Sequence, residues 1–135
     1  MDQTNKKNTD TAVKVQVSDD VILQIATHVV TETPGYHSLN SNFYYGVVNG
    51  IARNFGQKSL PGMNVRHRKE GLEINLYLNV LYGYSLMDMA KEIRQKIKAE
   101  LKRMLDIPDV RIDVHFEHII GPDQVAEETK NETES

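Results

Sequence analysis

The stretch from residue 71 to residue 120 constrains the fold of this chain more than any other. Large apolar residues occupy alternate positions in two short runs, Leu72, Ile74, Leu76, Leu78 and Val80 and then Val110, Ile112, Val114 and Phe116. This alternation is typical of strands with one buried face. Between the runs, after a turn at Tyr82 and Gly83, apolar residues recur every three or four positions, at Leu86, Ala90, Ile93, Ile97, Leu101 and Met104. That period predicts an amphipathic helix over residues 85–105, with Ser85 as its N-cap.

The amino-terminal half predicts a similar series of elements. Val13, Val15 and Val17 alternate with polar residues and indicate a short first strand. Ser18 then caps a helix, whose predicted buried face consists of Val21, Ile22, Ile25, Ala26 and Val29. Residues 36–60 are predicted to be irregular, although the apolar residues from Phe43 to Phe55 have spacings compatible with a helix. A further strand is predicted to start at Met63. A turn at residues 69–71 joins it to the strand that begins at Leu72, so the two strands are predicted to form a hairpin.

The predicted order is therefore β-α-(irregular)-β-β-α-β. This is the order of an α+β, ferredoxin-like sheet with two helices on one face. At 135 residues the chain is long enough for one domain with a modest core. We predict that domain at residues 13–120, between flexible tails at residues 1–12 and 121–135, because neither tail has enough apolar side chains to offset its ordering entropy.

Charge and cysteine content exclude several classes of function. The acidic tail at residues 121–135 carries a net charge of −4, against −3 for the whole chain, so residues 13–120 are near neutral at +1. This argues against a dedicated nucleic-acid-binding protein. The chain has no cysteine, which excludes disulfides, thiolate catalysis and cysteine metal sites. No signal peptide and no apolar run of ~20 residues is present. We therefore expect a cytoplasmic protein without direct membrane insertion.

No catalytic, cofactor or metal site is predicted. The five histidines do not follow a metal-ligand spacing, and the glycines match no phosphate-binding loop. The acids that fall on the strands are Glu73, Asp113 and Glu117. They are expected on the outward-facing side of the sheet, solvated or paired across strands with arginines, namely Arg66, Arg68 and Arg111. The sequence therefore predicts a protein that is not an enzyme.

Two sets of residues are candidates for binding a partner. The first is a basic row on the second helix, formed by Lys91, Arg94, Lys98 and Lys102. It is either a solvated helix face or a contact for an acidic partner, a phosphate backbone or an anionic lipid. The second is a group of tyrosines at the strand that ends at residue 81, formed by Tyr77, Tyr82 and Tyr84. These tyrosines are either ordinary packing residues or an interface, where tyrosine is enriched.

The order of these features resembles the alkaline shock protein family, the Gls-type envelope stress proteins of Gram-positive bacteria. The resemblance covers residues 13–120. Four segments contribute most of it. They are the acidic helix start after Ser18, the segments Pro34-Gly35-Tyr36 and Pro61-Gly62-Met63, and above all the block of strand, Tyr82-Gly83 turn, helix and strand that ends at Phe116. The resemblance implies a non-enzymatic stress-response protein that forms homo-oligomers. It also implies peripheral attachment at the membrane through a small membrane-anchored protein partner. The alternative is a small nucleic-acid-binding module that uses the exposed tyrosines and the basic row.

Overall fold

The computed structural model describes residues 14–41 and 57–123. In chain order, these residues form seven elements: helix α1 (Asp19–Thr31), strand β1 (Tyr36–Leu39), strand β2 (Gln57–Leu60), strand β3 (Met63–Arg68), strand β4 (Gly71–Leu81), helix α2 (Leu86–Leu105) and strand β5 (Val110–Ile120). All five strands belong to one sheet.

Strand β4 is the centre of the sheet. On one of its edges, the hairpin partner β3 pairs antiparallel with the first half of β4, and β1 pairs antiparallel with the second half. On the other edge β5 runs parallel to β4 along almost its whole length. Strand β2 extends the sheet beyond β3. The two helices contact each other, and α1 also contacts β1 and β3 while α2 contacts β5. The predicted α+β class, with both helices on one face, is confirmed.

The two helices begin where the sequence predicts. The Ser18 side chain accepts a hydrogen bond from the backbone N–H of Val21, and the Ser85 side chain accepts one from that of Asp88. Each serine thereby satisfies a backbone donor that the first turn of a helix leaves without a partner.

The core lies between the helices and the sheet. Helix α1 contributes Ile22, Leu23, Ile25, Ala26, Val29 and Val30, and helix α2 contributes Met89, Ile93, Ile97 and Leu101. The predicted burial is wrong for two residues at the margins of the apolar helix faces, because Val21 is 37% exposed and Met104 is 52% exposed. The buried stripe of α2 is therefore rotated slightly, with Met89 in the core and Met104 in solvent.

The strand predicted at Val13–Val17 is a second correction. Residues 14–17 form no strand, and Val15 and Val17 are 76% and 38% exposed. Both edges of β4 are already paired, so the valines find no position at the centre of the sheet. Their alternation predicted a buried strand face, but in the tertiary structure these valine side chains are exposed. Val13 itself lies outside the described residues.

The region predicted to be irregular, residues 36–60, contains two strands. β1 lies at its start and β2 at its end, where Leu60 pairs with Met63 across a two-residue turn formed by Pro61 and Gly62. Gly62 has a φ of 78°, as the second central residue of a type II turn requires. The helical spacing from Phe43 to Phe55 falls outside the described residues, as do residues 1–12 and most of the acidic tail. Neither helix in the described part of the chain is long and apolar enough to cross a membrane.

Candidate docking surfaces

The face of the sheet opposite the helices carries a network of polar side chains around Glu73. The glutamate is only 5% exposed, although its position predicted a solvated or cross-strand-paired acid. Arg68 donates a hydrogen bond from Nη1 to Glu73 Oε1, and Arg66 Nη1 lies 3.7 Å from Oε2. Asn75 donates from Nδ2 to Glu73 Oε2 at 2.8 Å and to Asn64 Oδ1 at 3.2 Å. The predicted pairing of Glu73 with Arg66 and Arg68 is confirmed, whereas the predicted solvation of the acid is wrong.

The charge of Glu73 is stabilised by these partners. Burial raises the pKa of its carboxyl, because the charged form loses water. The hydrogen bonds from Arg68 and Asn75, together with the charges of Arg66 and Arg68, outweigh the effect of burial, and the pKa is below its ordinary value. Glu73 is therefore ionised at neutral pH and held by two arginines. This arrangement stabilises the hairpin of β3 and β4.

Tyr77 lies in the same face of the sheet and is 8% exposed. Its ring stacks on His115 of β5, with 4.4 Å between the ring centroids and 10° between the ring planes. His115 Nε2 is in turn 3.5 Å from Asn75 Oδ1, which joins the stack to the polar network. Strand β4 is thus buried on both faces, not on one as its alternation predicted. The docking role predicted for Tyr77 stays a prediction, and little of its ring is open to a partner.

Tyr82 and Tyr84 differ from Tyr77 because they lie beyond the end of β4. Their exposed fractions are 71% and 47%, and two further apolar side chains are similarly exposed, Met87 at 70% and Ile119 at 51%. These four residues, here called the tyrosine turn, lie where β4 and β5 end and α2 begins. The backbone of Tyr82 is anchored to the sheet, since its N–H donates to the carbonyl of Ile120 at 2.9 Å.

The Tyr84 ring rests on the backbone of Gly35. A Cβ atom on Gly35 would be 2.8 Å from Tyr84 Cγ, so only glycine leaves room for the ring in this position. The sequence alone did not identify Met87 or Ile119 as part of this surface. The exposure of Met87 could have been inferred from the sequence, because this large apolar residue lies outside the apolar face of its helix.

The basic row on α2 is exposed along its whole length. Lys102 pairs with Asp106, with 3.3 Å between Nζ and Oδ1. Within residues 14–41 and 57–123, the other three cations, Lys91, Arg94 and Lys98, have no carboxylate oxygen within 4.0 Å. The neighbouring cations of the same helix are neutralised locally, Lys96 by Glu92 and Arg103 by Glu100. Three uncompensated positive charges therefore project from this helix face in the described part of the protein.

Two shallow cavities adjoin strand β5. One, of about 420 Å³, is a groove between α2 and β5, lined by Ala90 and Arg94 of the helix and by residues 111–115 of the strand. The other, of about 360 Å³, lies at the β3–β4 hairpin, where Arg68 and Arg111 face Glu70, Glu73 and Asp109. The opposite charges at the hairpin are close to balanced and do not select a ligand of either sign. No group of three or more histidines and acids that could hold a metal ion occurs among the residues described.

Comparison with known proteins yields a family and one relative. The family model of alkaline shock protein 23, described as having a cell envelope-related function, matches residues 7–120. The uncharacterized protein YqhY of Bacillus subtilis strain 168 is 28% identical over 104 residues, which cover 76% of this chain and 74% of that protein. No solved structure matches.

Proposed function

This chain belongs to the alkaline shock protein 23 family, which has a cell envelope-related function, and we propose that it is a non-enzymatic protein of the envelope stress response. In this proposal the protein works in the cytoplasm of a Gram-positive bacterium, self-associates, and is held at the membrane by docking to a small membrane-anchored protein. The family description refers to the envelope and to no reaction, which supports a role in assembly over one in catalysis.

The tyrosine turn is the observation that carries the docking proposal. It exposes two tyrosines, a methionine and an isoleucine at one end of the sheet. Aromatic residues and methionine are enriched in protein interfaces, and tyrosine is frequent among the residues that contribute most of the binding energy. The backbone of Tyr82 is hydrogen-bonded to Ile120 and the Tyr84 ring packs on Gly35, which lowers the conformational entropy that these two residues lose on binding.

The basic row is the competing contact surface. Its three uncompensated charges would attract an acidic partner, an anionic lipid surface or a nucleic acid. Such a contact would weaken steeply between about 50 and 200 mM salt, because the screening length of exposed charges is about 10 Å at 0.1 M and shortens as the salt rises. Binding through the tyrosine turn would change little over the same range. We favour the tyrosine turn, since a row of exposed cations is often only solvated.

A flotation experiment tests the proposal. The purified protein is mixed with membranes from its own cell, or with vesicles made from the lipids extracted from those membranes, and the mixture is floated through a density gradient. We expect the protein to float with the native membranes and to stay behind with the lipid vesicles, because the vesicles lack the protein partner. Equal flotation with both would show direct lipid binding, and flotation with neither would contradict membrane docking.

Variants then identify the surface. The double substitution Tyr82→Ala and Tyr84→Ala should abolish flotation, whereas Met104→Ala, which removes an exposed apolar side chain elsewhere on α2, should not. Reversal of the four charges of the basic row should leave flotation unchanged. If that reversal abolishes binding and the salt dependence of the parent is steep, the basic row is the contact. Binding of a labelled RNA or DNA oligonucleotide with the same salt dependence would favour the nucleic-acid-binding alternative.

A further inference from the structure

The outer edge of strand β5 has no partner in the described part of the sheet. Strand β5 runs for 11 residues, and β4 is the one described strand that pairs with it. Such an edge presents a row of backbone N–H and C=O groups to which another strand can add. Proteins commonly protect open edges with lysine, proline or bulges. Strand β5 contains neither lysine nor proline, and its register irregularity falls on Glu117, after the regular register of Val110 to Phe116.

We propose that a second copy of this chain occupies this edge. The two β5 strands pair antiparallel about a two-fold axis at Val114, which joins the two sheets into one continuous sheet. This inference rests on the self-association proposed above and assigns it a surface. It concerns a part of the molecule separate from the tyrosine turn, so the membrane partner and the second copy do not compete for the same residues.

Charge complementarity along β5 supports this arrangement. About a two-fold axis at Val114, Asp113 lies opposite His115, and Arg111 lies opposite Glu117, the extra residue at the register irregularity, so each of these four residues faces one that complements it. Within one copy Arg111 already holds Asp113, with 3.2 Å between Nε and Oδ2. A guanidinium has further N–H donors, which can reach Glu117 of the second copy.

Neighbouring registers are less favourable. An axis at Asp113 places two aspartates opposite each other, and an axis at His115 places Asp113 opposite Glu117. Like charges directly opposite each other destabilise a strand pair. An axis at Ile112 matches the charges but places Phe116 opposite Pro108, which has no backbone N–H to donate.

Apolar contacts on the helix side of the sheet favour the same axis. Val114 and Phe116 pack against the core but are only partly buried, unlike Val110 and Ile112. With the axis at Val114, the two Val114 side chains meet, and Phe116 of each copy faces Ile112 of the other. Ile112 and Val114 line the groove of about 420 Å³ between α2 and β5. The second copy would therefore bury apolar surface that a single copy leaves partly exposed.

Disulfide cross-linking tests the axis directly, because the chain contains no cysteine. Residues directly opposite in an antiparallel pair have Cα atoms about 4.5–5.5 Å apart, within the range that a disulfide spans. Mild oxidation of Val114→Cys should therefore give a covalent dimer. His118→Cys is the matched control, an exposed position on the same strand. Two copies of residue 118 would be eight positions out of register, about 27 Å apart, and should not cross-link.

A charge-exchange series measures the same contact without oxidation. Arg111→Glu and Glu117→Arg each place two like-charged pairs across the axis, and each should raise the dimer dissociation constant by about tenfold in sedimentation experiments. The double variant Arg111→Glu, Glu117→Arg restores the opposite charges and should return the constant to near the parent value. Because a merely structural role would not give this recovery, the double variant separates interface contact from local damage.

The outcomes distinguish this inference from the broader proposal. If the parent protein self-associates while Val114→Cys cross-links no more than His118→Cys, the β5 surface is wrong and self-association stands. If the parent remains monomeric up to millimolar concentration, both self-association and the β5 surface are wrong. Docking to native membranes is measured separately and is affected by neither result.

Discussion

Replacement of Ile97 by alanine should destabilise this domain strongly. Ile97 lies near the middle of α2, is fully buried, and belongs to the core cluster between the helices and the sheet. The substitution removes three carbon groups from the core, worth about 2.4 kcal/mol at roughly 0.8 kcal/mol each. The cavity left behind adds to this loss of stability, and the better helix propensity of alanine offsets a few tenths of a kcal/mol of it. We expect a loss of about 3–4 kcal/mol out of a total of about 5–15 kcal/mol.

Urea unfolding followed by far-ultraviolet circular dichroism measures this loss. With a slope of about 2 kcal/mol per molar urea, the midpoint should fall by roughly 1.5–2 M. Met104→Ala on the same helix is the matched control, since Met104 is 52% exposed. Its cost should be below about 1 kcal/mol, as is usual for exposed positions. Equal midpoints for the two variants would refute the orientation of α2 described here, in which Ile97 faces the core and Met104 faces solvent.

Three further predictions concern the polar network, a turn and the tails. The lowered pKa of Glu73 means that its ion pairs stabilise the fold above the unfolded pKa, near 4.3, and that this stability is lost as the pH falls through the folded pKa. Glu73→Gln should therefore cost about 1–3 kcal/mol in urea unfolding at neutral pH and much less in acid, whereas an equal cost at both would contradict the ion-pair account. Gly62→Ala should cost more than Gly83→Ala in the same assay. Both glycines have positive φ. A Cβ added at Gly62 would be 2.7 Å from Leu39 Cβ, whereas a Cβ added at Gly83 would have no neighbouring atom within 4 Å. A truncated chain of residues 13–120 should melt within a few degrees of the full chain in a thermal scan, and a molten product would place the domain boundary elsewhere.

Local sequence patterns predicted the elements from residue 63 onward. The order of two strands, a helix and a strand is confirmed, as is the hairpin that joins β3 to β4. The serine caps of both helices are also confirmed. These features depend on residues that are close in the chain. A cap is set by a residue and its neighbour three positions on, and an amphipathic helix by a repeat within a few turns.

The exposure of the candidate docking residues could be predicted only in part. Tyr82, Tyr84 and the basic row are exposed, as a contact surface requires, whereas Tyr77 is enclosed by a stack on His115 of another strand. Its position inside the strand distinguishes Tyr77 from the other two tyrosines, but its burial could not be predicted locally, because the stack depends on the register between β4 and β5. The register also determines that Ile119 emerges beside the tyrosines, beyond the irregularity that follows Phe116.

The sequence by itself determined where each long helix and strand forms, which side of each carries the core, and that a helix connects the last two strands. Only the tertiary structure decided which strands are neighbours. That choice paired both edges of β4, buried its polar face around Glu73, and left the valines of residues 14–17 outside the sheet. The physical reason is that a period of two identifies a strand with an apolar face but does not say what covers either face or which edge is free. Those depend on residues distant in the chain, whose pairing is decided by the packing of the whole domain.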